Sequence, residues 1–230
     1  LLFVLVMISC GSKSKSKDTS SITNGGILKS VQNEKAIVVG ANQTEAYLPL
    51  INGKHVGIVA NQTSVIFKDD SLKTEGRSYT HLVDSLMTLN IDIKKVFAPE
   101  HGFRGTADAG EKIKDGIDTK TNLPILSLHG KNRKPSKEQL ADVDIMIFDI
   151  QDVGARFYTY ISTLHYIMEA CAEAGIPLLI FDRPNPNGHY VDGPTLEIEN
   201  KSFLGMHTIP LVHGMTIGEY AHMLNGEGWL

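Results

Sequence analysis

The stretch Lys95-Val-Phe-Ala-Pro-Glu-His-Gly-Phe-Arg-Gly-Thr106 decides how the rest of the chain is interpreted. Its apolar first half is typical of the end of a buried strand, and Pro99 cannot donate to a sheet ladder. Two glycines then permit a sharp turn. Three polar residues therefore follow the predicted strand closely: the carboxylate of Glu100, the imidazole of His101 and the guanidinium of Arg104. The simplest alternative is that Glu100 and Arg104 pair with each other and only tie down the loop.

Four further apolar segments predict strands: 54–60, 124–128, 144–150 and 177–181. The segment 144–150 is almost continuously apolar, which is typical of a strand covered on both faces. Helices are predicted over 80–89, from Ser136, from Ile161 to the glycine at 175, and over 217–224. This alternation predicts an α/β layer fold with a mostly parallel sheet.

Polar residues follow all five predicted strands. Because parallel strands place their carboxyl ends on one edge of a sheet, these side chains are expected to meet in one crevice. They are Asn61, Glu100 with His101 and Arg104, His129, Asp149 with Asp152 and Arg156, and Asp182 with Arg183.

Several carboxylates in one cleft suit either general acid/base chemistry or a metal ion. For the first, Glu100 would act against one of the three aspartates, with one carboxyl kept protonated and the other ionised. Asp149 lies within an apolar strand, where burial should raise its pKa unless Arg156 or Arg183 holds it ionised. For the second, suitable ligands exist, including Glu100, His129 and His213, but they lack a compact spacing. We predict no metal.

Other classes of function find little support. The net charge of −4 and the mixed composition predict no binding to nucleic acid. A phosphate loop, a dinucleotide fingerprint and a serine nucleophile elbow are missing from the sequence, so we predict no nucleotide cofactor. The arginines together with Tyr158 and Tyr160 suit an anionic, partly apolar ligand such as a sugar that carries a carboxylate. Core packing is the alternative for the two tyrosines.

Two residues with reactive side chains receive structural interpretations. Cys171 lies on the apolar stripe of the predicted long helix and is expected to be a small core residue. Glu219 stands three residues after Thr216 and is expected to close a capping box.

The N-terminus predicts a membrane anchor. An apolar run over residues 1–8 ends in Ser9-Cys10-Gly11, which resembles the lipobox of bacterial lipoproteins, although an ordinary signal peptide is the alternative. A serine- and lysine-rich tract follows and suits a flexible tether. We therefore assign 1–35 to a signal region and tether and 36–230 to the folded domain. A lipid on Cys10 would hold the protein in the bacterial cell envelope, facing the periplasm or the surface.

Five motifs carry a resemblance to a known family. They are Ala98-Pro-Glu-His-Gly-Phe-Arg-Gly105, Asp108-Ala-Gly-Glu-Lys112, Phe148-Asp-Ile-Gln-Asp-Val-Gly-Ala-Arg-Phe-Tyr-Thr-Tyr160, Asp182-Arg-Pro-Asn-Pro-Asn-Gly188 and Pro210-Leu-Val-His-Gly-Met-Thr-Ile-Gly-Glu219. From about Gly53 onward the chain resembles the exo-acting β-N-acetylmuramidases, the NamZ-like glycoside hydrolases. The resemblance implies release of N-acetylmuramic acid from the non-reducing ends of peptidoglycan fragments during cell-wall turnover and recycling. It also implies a Rossmann-like catalytic domain, here 36–230 with the start of a linker, followed by a smaller domain that this chain does not reach.

The resemblance further implies roles for the residues of the crevice. Glu100 becomes the acid/base, and His101 and Arg104 would orient it or hold the lactyl carboxylate. Asp149, Asp152 and Asp182 are candidates for the second carboxylate or for contacts to sugar hydroxyls, unless the substrate's own N-acetyl group assists. The remaining substrate contacts are expected from Asn61, His129, Arg156, Tyr158 and Arg183. Muropeptides or disaccharides would be the substrates, and a glycan-binding lipoprotein without hydrolase activity is the alternative.

Overall fold

A central sheet of mostly parallel strands organises the protein. The computed structural model describes residues 37–68, 78–105 and 114–230, together with the backbone of one N-terminal strand. The strands are β1 (Leu5–Ile8), β2 (Val56–Ala60), β3 (Val65–Phe67), β4 (Tyr79–His81), β5 (Ile93–Ala98), β6 (Gly116–Ile117), β7 (Pro124–Ser127), β8 (Ile145–Asp149) and β9 (Leu178–Phe181). The helices are α1 (Thr44–Ile51), α2 (Leu82–Thr88), α3 (Lys137–Leu140), α4 (Tyr160–Ala174) and α5 (Ile217–Gly226).

Within the described residues, seven strands form one sheet in the order β1-β9-β8-β2-β5-β7-β6. Every neighbouring pair is parallel except β6 with β7. The antiparallel pair β3 and β4 forms a separate two-stranded sheet. The predicted α/β fold with a mostly parallel sheet is therefore confirmed, and each of the five predicted strands is present.

Two apolar clusters lie on opposite faces of the sheet, because successive side chains of a strand point to opposite sides. On one face Phe148 and Ile180 pack with α4 and α5, including Leu164 and Leu224. On the other face Ile58 and neighbouring strand residues pack with α1 and α2. The protein thus has three layers, as expected for strands whose side chains are buried on both sides.

The helix ends follow from the sequence. Thr216 accepts a hydrogen bond from the backbone of Glu219, whose side chain bonds back to Thr216, so this capping box is confirmed. Ser136 and Gln139 form a second capping box at α3. Gly175 ends α4 in the left-handed region with φ 69°, where a residue without Cβ is least strained.

Several elements were not predicted. Pro49 lies inside α1 and hid the helical pattern, because a proline in a helix interior removes a backbone hydrogen bond and argues against a helix. The strands β3 and β4 have three residues each, too few for a clear alternation. The strand β1 lies in the region 1–35, which the sequence assigned to a signal region and tether, and it pairs in parallel with β9. The tether after it lies outside the described residues.

The packing of α4 on the sheet predicts a large cost for removing a core side chain. Leu164 has no exposed surface, so Leu164→Ala should lower the free energy of unfolding by about 2–5 kcal/mol through lost burial and the cavity left behind. Urea denaturation followed by circular dichroism measures this change. Leu50, which is 40% exposed on α1, supplies the matched control, and Leu50→Ala should cost about 1 kcal/mol or less. Equal losses in the two variants would contradict the assignment of α4 to the core.

Candidate functional site

The carboxyl ends of three adjacent strands form the centre of the site. The register aligns Ala60 of β2 with Asp149 of β8, and Val59 of β2 with Phe97 of β5. The residues that follow these strands, Asn61, Ile150 onward and Pro99 onward, therefore leave the sheet on the same edge. The predicted convergence of polar residues at this edge has its structural basis here.

Glu100 faces open space at this edge. It lines a cavity of about 390 Å³ together with His129, Arg133 and Phe203, and a second cavity of about 210 Å³ together with Tyr158. Thr159 and Leu204 line both cavities as well. The two cavities thus share three lining residues, and a ligand in either one would meet the carboxylate of Glu100.

The backbone around Glu100 is unusual. His101 has φ 69° and Gly102 has φ 77°, so two consecutive residues adopt left-handed conformations directly after the carboxylate. A residue with a Cβ pays about 1 kcal/mol or more for such a conformation. Strain of this kind clusters at functional sites, and here it sets the direction in which the chain leaves Glu100.

Thr159 holds the carboxylate of Glu100. Its Oγ1 donates to Oε2 of Glu100 at 3.2 Å, and the side chain does not cap the helix α4 that it precedes. Because a threonine at this position ordinarily accepts from the first turn of the helix, the hydroxyl has been diverted to Glu100. The N-terminus of α4, with its positive dipole end, also lies at the site.

Arg104 does not pair with Glu100. Its guanidinium binds Asp84 of α2 at 2.9 Å and Asp118 at 2.7 Å, and it lies 4.3 Å from the centre of the Phe103 ring. These carboxylates raise the pKa of Arg104 further above its ordinary value against the opposing effect of burial. The structure therefore places Arg104 in an ion-pair network that ties the loop after β5 to α2.

Asp149 and Arg183 form a buried ion pair. Nε of Arg183 lies 2.7 Å from one carboxylate oxygen of Asp149 and a terminal nitrogen lies 2.9 Å from the other. Arg183 also donates to the carbonyl of Val65. Asp149 has no exposed surface and Arg183 is 3% exposed. The two opposite charges therefore pair with each other inside the protein. The sequence offered Arg156 and Arg183 as partners of Asp149, and in the structure the partner is Arg183.

Asp182 joins β9 to the start of α5. One of its oxygens accepts from the backbone nitrogens of Arg183 and Gly218, and the other accepts from the hydroxyl of Thr216 at 2.9 Å. Burial raises the pKa of Asp182, although these hydrogen bonds oppose the rise. These contacts give Asp182 a structural role that does not require a substrate.

Asp152 differs from the other two aspartates. Its Oδ2 accepts from the backbone of Gly154 at 2.8 Å and lies 3.5 Å from Nε2 of His213, while its Oδ1 is buried without a hydrogen bond from the described residues. Asn61 is similar: its Oδ1 accepts a hydrogen bond from the backbone of Thr63, while its Nδ2 is buried without a hydrogen-bond partner among the described residues. Burial raises the pKa of Tyr160. The charges of Glu100 and Asp152 add to this rise and the side chain of Asn61 opposes it, so Tyr160 lies near all three residues.

The remaining predicted residues divide between structure and site. Arg156 donates to the carbonyls of Pro194 and Ile209 and so anchors the loop that follows β9. Tyr158 is 46% exposed and lines the smaller cavity. His129 lines the larger cavity, and its Nδ1 is buried without a hydrogen-bond partner among the described residues.

Sequence reasoning missed Arg133 and the segment 202–205. Arg133 lies in an irregular loop after β7, and no local pattern marks it. Its guanidinium sits 4.1 Å from the centre of the Phe203 ring, a contact between residues far apart in the sequence. A search for unassigned cations near predicted strand ends could have found Arg133, whereas nothing in the sequence marks Phe203.

Three further features of the described part of the chain concern a metal site, a membrane-spanning helix and a reactive cysteine. In that part, no group of three or more histidine, cysteine or acidic side chains is placed to hold a metal ion. No described helix is both long enough and apolar enough to cross a membrane. Cys171 is fully buried, as expected, and burial raises the pKa of its thiol to about 12. Cys10 and the motif 108–112 lie outside the described residues.

The protein is an α/β protein with two cavities at the carboxyl edge of its sheet, and Glu100 lines both of them. Residues 56–230 match the family model described as exo-beta-N-acetylmuramidase NamZ, N-terminal, and the chain belongs to this family. It is 50% identical over 184 residues to the peptidoglycan beta-N-acetylmuramidase NamZ of Bacillus subtilis strain 168, covering 79% of this chain and 42% of that relative. The sequence-based identification of the family is confirmed.

Solved structures of similar proteins have the same fold. Crystal structures of two DUF1343 family proteins from Bacteroides fragilis NCTC 9343 superimpose on the chain. The first has a TM-score of 0.69 at 47% identity, covering 84% of this chain and 48% of its own. The second has a TM-score of 0.71 at 37% identity, covering 84% of this chain and 46% of its own. The chain thus spans less than half the length of each of these three relatives.

The network around Arg104 predicts a pH-dependent stability. The hydrogen bonds from Arg104 lower the pKa of Asp118 from its ordinary 3.8 to about 2. A carboxyl whose pKa is lowered by folding stabilises the protein above its unfolded pKa and loses this contribution as the pH falls through the folded pKa. Asp118→Asn should therefore lower the free energy of unfolding by about 2 kcal/mol at pH 6, and the difference from the unmodified protein should shrink between about pH 4 and pH 2.

Urea denaturation at a series of pH values measures this difference. Arg104→Met serves as the partner variant, and in its background Asp118→Asn should produce a much smaller pH dependence. A difference between the proteins that stays constant from pH 6 to pH 2 would contradict the coupling of Asp118 to Arg104.

Proposed function

We propose that the protein is an exo-acting β-N-acetylmuramidase, and that Glu100 is its general acid/base. The substrate class is a peptidoglycan fragment, a muropeptide or disaccharide, with N-acetylmuramic acid at its non-reducing end. The observation that carries the proposal is the exposure of Glu100 to both cavities, while the other acidic residues at this edge are engaged or buried. The curated relative from Bacillus subtilis, named as a peptidoglycan beta-N-acetylmuramidase, supports the reaction class.

The distribution of partners separates Glu100 from the three aspartates. Asp149 is neutralised by Arg183, and both oxygens of Asp182 accept hydrogen bonds from the protein. Asp152 keeps one unused oxygen, but it is only 2% exposed. Glu100 receives a single hydrogen bond from a side chain, that of Thr159, which leaves its other oxygen for a substrate.

Hydrolysis of a glycosidic bond gives Glu100 two tasks. As the bond between the anomeric carbon and the leaving oxygen breaks, the protonated carboxyl donates its proton to that oxygen. The resulting carboxylate then accepts a proton from the water that adds to the anomeric carbon, which restores the acid. The hydroxyl of Thr159 fixes the orientation of the carboxyl during both steps.

Glu100→Gln tests this assignment. The variant keeps the shape of the side chain but cannot transfer a proton, so kcat for a chromogenic β-N-acetylmuramic acid glycoside should fall by about 10²–10⁴-fold. The binding of N-acetylmuramic acid, measured by calorimetry, should be retained. Glu138→Gln on α3 is a matched control, because Glu138 is exposed and lines neither cavity, and it should leave kcat unchanged. Unchanged activity of Glu100→Gln would refute the role, and tight binding without turnover by the unmodified protein would favour a glycan-binding lipoprotein.

For location, we propose a lipid anchor on Cys10 that holds the protein in the bacterial cell envelope, facing the periplasm or the surface. The support is the apolar run before Ser9-Cys10-Gly11 and the serine- and lysine-rich tract after it. Acylation at Cys10 with removal of the preceding residues would take β1 out of the sheet. The strand β9 would then become the edge.

Metabolic labelling with an alkyne fatty acid tests the anchor. The unmodified protein should carry the label and sediment with membranes, whereas Cys10→Ala should lose both properties, because the acylated thiol is absent. Cys171→Ala is the matched control and should retain the label, since its thiol is buried. Labelling that persists in Cys10→Ala would contradict the assignment.

A further inference from the structure

We propose that Arg133 binds the carboxylate of an acidic substituent on the sugar in the larger cavity, and thereby selects a lactyl sugar over its neutral analogues. The inference rests on the proposed function, because it concerns the substrate of the same site. It assigns to Arg133 the task that the sequence suggested for Arg104.

The charges of the other arginines are already in use. Four arginines lie in the described residues. Arg104 is held by Asp84 and Asp118, Arg183 is held by Asp149, and Arg156 donates to two backbone carbonyls. Arg133 forms no ion pair or hydrogen bond with the described residues and contacts the Phe203 ring. It is the arginine of this set whose fork of donors remains available to a ligand.

Its position in the cavity suits a second point of recognition. Arg133 and Glu100 line the same cavity of about 390 Å³, yet they do not form an ion pair with each other. A sugar with an acidic substituent presents its anomeric carbon and that substituent on different ring atoms. A site for it therefore needs an acid and a cation that remain apart, which is the arrangement of Glu100 and Arg133.

The segment 202–205 fixes the position of the guanidinium. Ser202 and Gly205 exchange two backbone hydrogen bonds, and the hydroxyl of Ser162 on α4 donates to the carbonyl of Phe203 at 2.7 Å. The Phe203 ring also stacks on Tyr166, with an interplanar angle of 9°. Arg133 lies over a ring that is held by α4, and a pre-positioned guanidinium loses less freedom when it binds a carboxylate.

Two substrates separate charge recognition from catalysis. One is a chromogenic β-N-acetylmuramic acid glycoside with a free lactyl carboxylate, and the other is its neutral lactyl methyl amide. The unmodified full-length protein should favour the acid in kcat/KM by roughly 10- to 100-fold, the effect expected of a charge-assisted hydrogen bond. Arg133→Met should lose roughly this factor on the acid, mainly through KM, and change little on the amide.

Further variants and a binding assay make the test decisive. Arg133→Lys should keep part of the preference, because it retains the charge without the bidentate fork, and it replaces Arg133→Met if that variant does not fold. Lys131→Met, a nearby exposed cation that does not line the cavity, should keep the full preference. No preference in the unmodified protein, or equal losses of Arg133→Met on both substrates, would overturn the inference while leaving the muramidase function intact.

Calorimetry with N-acetylmuramic acid and its methyl amide tests the inference even when the protein shows no hydrolase activity. If the protein hydrolyses neither glycoside, the proposed function fails. A preference for the acid in binding that disappears in Arg133→Met would then still support the inference, and equal binding of acid and amide would overturn it.

Discussion

The parallel pairing of β2 with both β5 and β8 is the constraint on which the rest of the structure depends. It brings the ends of three separate apolar strands to one edge of the sheet, with Ala60 beside Asp149 in register. Polar residues lie within two positions of each strand end, so the site is assembled from segments that are distant in the sequence. The two apolar clusters on the faces of the sheet stabilise this arrangement, and the cavities lined by Glu100 lie at its carboxyl edge.

At that edge most charges are neutralised by one another. The buried pair of Asp149 and Arg183 joins β8 to the loop after β9, and Arg104 joins the loop after β5 to α2. A buried charge must be paired to be tolerated, so these residues hold the rim in place. Glu100, on a strained turn, and Arg133, on an aromatic ring, both line the larger cavity, and neither forms an ion pair with the described residues. In the function we propose, the selectivity of the site follows from this separation of paired and available charges.

The sequence predicted five strands of the main sheet and the position of Glu100, because both depend on local patterns. An apolar run followed by a proline and a carboxylate needs no knowledge of distant residues. It did not predict the partners of Arg104, because Asp84 lies on another element and Asp118 in a segment without periodicity. Arg133 was missed for the same reason, since only its contact with Phe203 gives it a place. Motif resemblance supplied the family, and the folded structure was needed to tell which charges are free.

A crystal structure of the protein with N-acetylmuramic acid bound tests the central claim most directly. The account predicts that the sugar occupies the cavity beside Glu100, with a carboxylate oxygen of Glu100 within hydrogen-bonding distance of the anomeric oxygen. A sugar bound away from this edge of the sheet, or with its anomeric carbon facing Asp149 or Asp182 while Glu100 points into solvent, would contradict it.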